Sequence, residues 1–313
     1  MESYDYLEFV ELKNKKYEVR LKGDPESVTE LVIPPSYNDK DVIQIGERAF
    51  ENCVNLVSVV LPKTIKKIGK CAFASCKALQ SINLPDGITS IGRAAFVSCT
   101  SLQDIKLPSH LSVLGDNAFT NCSSITSINI PQGVKRIIYG TFMGCKSLAS
   151  VYMEDGVTTI TNYAFRECTS LKEVVLSKNL ERIGDEAFSY CAALEEINIP
   201  ESVKTIAHAA FHACTSLKRV NFPKGLTRLD EGVFSGCTSL ESIELPFVIK
   251  TIEKYLFDGC VNLKEVMIPD SVQEVNSIAF MNCKSMKEVP IPHRAYVIDN
   301  ESFFMYVPKF INR

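Results

Sequence analysis

The chain has 313 residues, with 46% hydrophobic and 23% charged side chains and a formal net charge of −3. That balance excludes a disordered polar chain, and the slight acidity excludes a whole-molecule electrostatic hold on nucleic acid. No apolar run approaches the roughly eighteen residues of a membrane span.

In chain order, "MESYDYLEFVELKNKKYEVRLKG" opens with acidic residues and lacks a basic stretch followed by an apolar one, so it reads as carrying no signal peptide. Two locations follow: the cell surface or the exterior if a leader has been removed, the cytoplasm otherwise. Residues 1–27 alternate around "ELKNKKYEV" and predict a hairpin cap turning near Asn14. "TELVIPPSYNDKDVIQIGERAF" reads as a first coil with extra residues between Pro34 and Ile45, forming a polar loop that displays Tyr37.

A strict repeat then takes over. Phenylalanine recurs every 23 residues from Phe50 to Phe303, and cysteine follows it three places later from Cys53 to Cys283. One unit length without insertion or deletion means a solenoid, in which each unit stacks on its neighbours. In "IGRAAFVSCTSLQDIKLP" (91–108), Ala95, Phe96, Cys99 and Leu102 lie at helical spacings and predict a short helical turn. Ile105 and Leu107 alternate with polar residues and predict a strand. Pro108 has no N–H for a ladder and ends it; Glu154 and Ser177 replace that proline in two neighbouring units. Gly87, Gly133, Gly156 and Gly225, two places after the proline position, suit a turn of positive φ. Leu111 and Leu114 begin a second brief strand on the opposite face. Coils spaced by roughly 4.8 Å give a stack about 55 Å long. At the far end "NESFFMYVPKFINR" keeps Phe303 without a cysteine, and its aromatics are expected to fold over the last coil, with residues 304–313 as the C-terminal cap.

The repeated cysteines invite a chemical reading. Eleven copies in one repeated environment cannot each be a nucleophile, and no Cys-x2-Cys pair suits zinc. Parallel stacking points every Cβ the same way, which opposes bridging. They read as buried free thiols. Cys71 lies outside the column, at a position that also accepts Arg48 and Ala94, and reads as the exposed thiol. His208 and His212 are four apart but lack a third ligand, so no metal is expected. No phosphate loop and no Ser/His/Asp arrangement appears, so neither catalytic residues nor a cofactor is expected.

The variable positions face outward on the main strands. One column reads Val60, Asn83, Lys106, Asn129, Tyr152, Val175, Asn198, Asn221, Glu244, Met267 and Pro290. Tyr152 and Val175 break its polar run in adjacent coils. Together with Asp104, Lys106, Asn129 and Met267 they are the candidate binding residues, since exposed aromatics with apolar neighbours anchor interfaces. The competing reading is cross-strand packing on a solvated sheet. On the second segment Lys66, Lys67, Lys135, Arg136, Arg182, Lys204, Arg228 and Lys250 form either a stripe for an acidic partner or a charged guard for short strands.

Units such as "IGRAAFVSCTSLQDIKLP" and "IGDEAFSYCAALEEINIP" resemble the BspA-like leucine-rich repeats, a 23-residue class of bacterial surface proteins and large protozoan families, over about residues 28–303. The chain departs from the commonest leucine-rich repeat, which places Asn or Cys where Gly87, His110 and Gly133 stand here. The resemblance implies a leucine-rich-repeat solenoid of eleven or twelve coils. Parallel β strands line one face, with short helical turns and brief strands on the other. It further implies a monomeric, non-catalytic, adhesin-like protein that binds a host, matrix or other cell-surface protein through its concave strand face. An intracellular scaffold using the same face is the alternative.

Overall fold

A computed structural model describes residues 4–298 and 306–312. The chain divides into two compact units, Met1–Gly156 and Val157–Arg313, and each is a parallel-strand β-solenoid. The described residues make about 13 turns.

In the first unit, Glu30–Val32, Ser58–Val60 and Ser81–Ile82 form one front sheet. Ser58 pairs with Ser81 and Val59 with Ile82, one repeat apart. Ser127–Ile130 and Ser150–Met153 form another, with Ile128 opposite Val151. Behind them Lys40–Ile45, Lys67–Ile68, Ser90–Ile91 and Val113–Leu114 pair in parallel. The second unit repeats this scheme: Glu196–Asn198 pairs with Arg219–Asn221 in front, and Arg182–Ile183 with Thr205–Ile206 behind.

The third side differs from expectation: it is almost free of helix. The backbone takes positive φ at both Arg48 and Asn52, two residues either side of Phe50, and again around Phe73 at Cys71 and Ser75. Two left-handed residues per turn interrupt any helical run. The N–H of Phe50 therefore donates not within its own turn but to Ala72 O of the next coil at 2.8 Å, as Phe73 does to Ala95 O. The spacing of apolar residues was helical because a tight turn also brings positions three and four apart to one side. A 3-10 helix forms at Ser277–Phe280 and another at Pro25–Ser27.

The phenylalanines stack inside this side. From Phe50 to Phe142 in the first unit, ring centroids are 5.2–5.6 Å apart and the rings nearly parallel. From Phe165 to Phe280 in the second they are 5.3–5.9 Å apart. The cysteines lie beside them, buried and not bridged as disulfides. Thiols of successive coils reach back to a backbone carbonyl: Cys76 Sγ donates to Phe50 O, Cys99 to Phe73 O and Cys122 to Phe96 O, all at 3.1 Å. A small apolar residue with a weak donor fits that slot, which accounts for the repeated choice. Cys71 is half-buried.

The turn glycines need a different explanation from the one their position suggests. Neither Gly133 nor Gly156 has positive φ. A Cβ at Gly133 would lie 2.3 Å from Leu111 O, and one at Gly156 2.0 Å from Gln132 O. Close approach of the preceding coil, not handedness, demands glycine there. Where proline is missing, Glu154 N–H extends the front ladder by donating to Ile130 O at 3.0 Å.

At the N-terminus Leu7–Glu11 and Tyr17–Leu21 form the antiparallel hairpin, and Tyr17–Leu21 joins the back sheet through Lys40–Ile45. The polar loop of the first coil is itself a hairpin, with Ser36 opposite Asp41 and positive φ at Asn38 and Asp39. Tyr37 stacks on Phe9 at 4.2 Å, so its ring is half-used in packing. At the C-terminus Lys309–Asn312 pairs in parallel with Glu288–Ile291, and Phe310 meets Phe280 edge-on at 6.1 Å. Phe303 lies outside the described residues.

Candidate functional site

The thiol column is settled first by its surroundings. Burial pushes the Cys145 and Cys214 thiols up to about 12, the opposite of what a nucleophile or metal ligand needs. Among the described residues no group of three His, Cys, Asp or Glu side chains could hold a metal ion. His208 is exposed, and the His212 ring meets Tyr190 edge-on at 5.1 Å. No helix among the described residues is long and apolar enough to cross a membrane.

The front strands carry the variable surface. In the first unit the structure gathers Asp104, Lys106 and Asn129 around a depression of about 520 Å³. It lies where residues 105–107 make no strand, the front ladder there being reduced among the described residues to a bridge between Ser81 and Asp104. Tyr152 stands beside this depression, directly opposite Asn129 across the parallel pair, and is 51% exposed. These four candidates form one surface.

The other two lie in the second unit. Val175 ends the strand Glu173–Val175 and is 41% exposed. Met267, 49% exposed, lines a separate depression of about 370 Å³ with Glu244, Phe247 and Pro269.

Phe247 is a surface residue that the sequence reading missed. It is 66% exposed and follows the strand-ending Pro246, where other coils place Lys63, Asp86 or Gln132. Comparing that column down the repeat would have found it. Val32, exposed on the first front strand, escaped because the first coil is longer than 23 residues. On the turn side Arg166 lies over the rings of Tyr163 and Tyr190 and pairs with Glu167 and Glu186.

The asparagines of the front column are not equivalent. Asn83 is tied to the backbone of Leu61 at 2.7 and 2.9 Å, and Asn221 donates to the Asn198 carboxamide. Acidic side chains of the second unit are neutralised between coils: Arg219 pairs with Glu196 at 2.9 Å, and Lys218 with Glu195 at 2.8 Å. On the back sheet Arg182 and Arg228 are each separated by one strand through Thr205, which keeps like charges from facing directly. Arg182 lies 4.0 Å from Asp185, and Arg228 pairs with Asp230.

Comparison with known proteins agrees with this architecture. A family model described as "BspA type Leucine rich repeat region (6 copies)" matches residues 26–149, 95–218, 135–260 and 181–307. A leucine-rich repeat protein from Bacteroides ovatus ATCC 8483 is 25% identical, with a TM-score of 0.54 over 96% of this chain and 99% of its own. A leucine rich cell surface protein from Faecalibacterium prausnitzii A2-165 is 26% identical, with a TM-score of 0.53 over 96% and 95%. The pneumococcal vaccine antigen PcpA shares the fold at 17% identity, with a TM-score of 0.59 over 95% and 92%. No curated protein matches the chain.

Proposed function

Because the chain belongs to the BspA-type leucine-rich repeat family, we propose that it is a non-catalytic scaffold that binds a protein through its front strand face, at the cell surface or outside the cell. One observation carries the reading. Tyr152 interrupts a polar column, keeps half its surface in solvent, and borders a depression lined by Asp104, Lys106 and Asn129. A rigid aromatic beside adaptable polar groups is a common interface anchor. Similarity to a cell surface protein of F. prausnitzii supports the location. In this reading residues 1–27 and 304–313 act as end caps, as the Leu21 N–H bond to Ala49 O and the Phe310 contact with Phe280 suggest.

The test is a screen of the full chain against host, matrix and cell-surface proteins. Tyr152→Ala should weaken the interaction found by about tenfold or more, and binding should survive high salt. Binding that is lost in salt and with Lys135→Glu, while indifferent to Tyr152→Ala, places the site on the basic back sheet instead.

Twelve cysteines that form no disulfide favour a second reading, an intracellular scaffold using the same face. Cell fractionation with an antibody to the chain decides between the two locations.

A further inference from the structure

Two coils of the first unit carry the same pair on their front: a leucine directly before the coil's proline, and an asparagine 22 residues later in the next coil. Leu61 and Asn83 are joined. Asn83 Oδ1 accepts from the Leu61 N–H at 2.7 Å, and Asn83 Nδ2 donates to the Leu61 carbonyl at 2.9 Å. The carboxamide thereby does the work of the neighbouring strand, which stops at Ile82. A primary amide suits this because it offers one acceptor and one donor group in a plane.

Leu107 and Asn129 stand in the same relation along the chain but are not joined. Among the described residues, no protein group bonds the N–H or the carbonyl of Leu107. Asn129 is exposed on the strand Ser127–Ile130. Between them lies the depression of about 520 Å³, lined by both residues together with Asp104 and Lys106. Leu107 lines this depression, so a group entering it can reach the backbone N–H and carbonyl that no protein group holds. A carboxylate would satisfy the N–H alone, and an ammonium or guanidinium the carbonyl alone. Asp104 and Lys106 carry opposite charges at the rim, so neither sign of ligand is favoured.

We propose that this opening is a seat for the side-chain carboxamide of an asparagine or glutamine carried by an extended segment of a protein partner. It does for Leu107 what Asn83 does for Leu61. Tyr152, opposite Asn129, offers its ring to the residue beside that side chain. The inference rests on the front-face reading and adds the chemistry that the face selects.

Two measurements on the full chain test it. In amide NMR spectra, propionamide should shift the Leu107 resonance and leave Leu61 unmoved, whereas in Asn83→Ala both should move. A Leu107 resonance that does not respond, or responds equally to methyl acetate, overturns the proposal. Random peptides selected on the chain supply the second measurement. Those whose binding depends on Tyr152 should share an asparagine or glutamine, and its replacement by leucine should cost tenfold or more in affinity. Tyr152-dependent peptides indifferent to that replacement overturn the carboxamide seat while leaving the front-face reading intact. A selection yielding no Tyr152-dependent peptide also overturns the seat, and the front-face reading is then judged by the protein screen alone.

Discussion

On the turn side, Phe50, Phe73, Phe96, Phe119 and Phe142 occupy one position in five successive coils, each with a cysteine three residues on. On the front strands the outward position of the same coils holds Val60, Asn83, Lys106, Asn129 and Tyr152. Both columns follow the same period, yet one never varies and the other varies at every step. Inside, each ring lies on its own kind above and below, so a change of volume is felt by two neighbours in a close-packed row. Outside, a side chain meets solvent and loosely spaced neighbours, so the fold places little demand on it. Constancy marks where the fold is made, and variation marks the surface left over for recognition.

Alkali should break this contrast most strongly. Cys145, Cys214 and Cys283 keep their protons up to about 12 because burial disfavours the thiolate, whereas an unfolded cysteine ionises near about 8.5. The native chain thus binds more protons than the unfolded one between those values. Stability is therefore full below about pH 8.5 and falls as pH rises, by roughly 1.4 kcal/mol per pH unit for each thiol. Cys53, Cys76, Cys99, Cys122, Cys191, Cys237 and Cys260 are shifted in the same direction. Urea titrations at about pH 7, 9 and 10.5 should show the midpoint collapsing at the highest value; an unchanged midpoint contradicts the buried column.

Next in size is Phe188→Ala, which removes a ring stacked between Phe165 and Phe211. It should cost about 3–5 kcal/mol by chemical denaturation. Tyr152→Ala in the front column should stay within about 0.5 kcal/mol, and equal losses would erase the contrast between the two columns.

Asn83→Ala sharpens the comparison within the front column itself. It strands the Leu61 N–H and carbonyl and should cost about 1–3 kcal/mol, while Asn129→Ala should be near neutral because that carboxamide holds nothing in the free chain. The smallest effect concerns Cys71. Native protein treated with a thiol reagent should react first at this half-buried residue. Reaction of several column thiols before unfolding would show that the turn side opens.

The repeat and its buried thiols were legible in the residues because a strict period multiplies each weak signal by the number of coils. The helical turn was misread for a physical reason. Apolar spacing of three and four reports which side a residue faces, and a turn with two left-handed residues satisfies it as well as a helix does. The turn glycines were misread likewise, since a need for space and a need for positive φ select the same residue. Four of the six candidate surface residues came together in the first unit. Val175 and Met267 lie in the second, and Phe247 there follows the proline of its coil, outside the outward strand column.

The amino-acid sequence by itself determined the 23-residue coil, the columns of phenylalanine and cysteine, and which strand positions face outward. These follow from periodicity, which is a local property repeated. Only the tertiary structure decided that Asn83 closes on Leu61 while Asn129 leaves Leu107 open. That difference depends on where one coil's backbone stops pairing with the next, and two similar asparagines in a one-dimensional string do not reveal it.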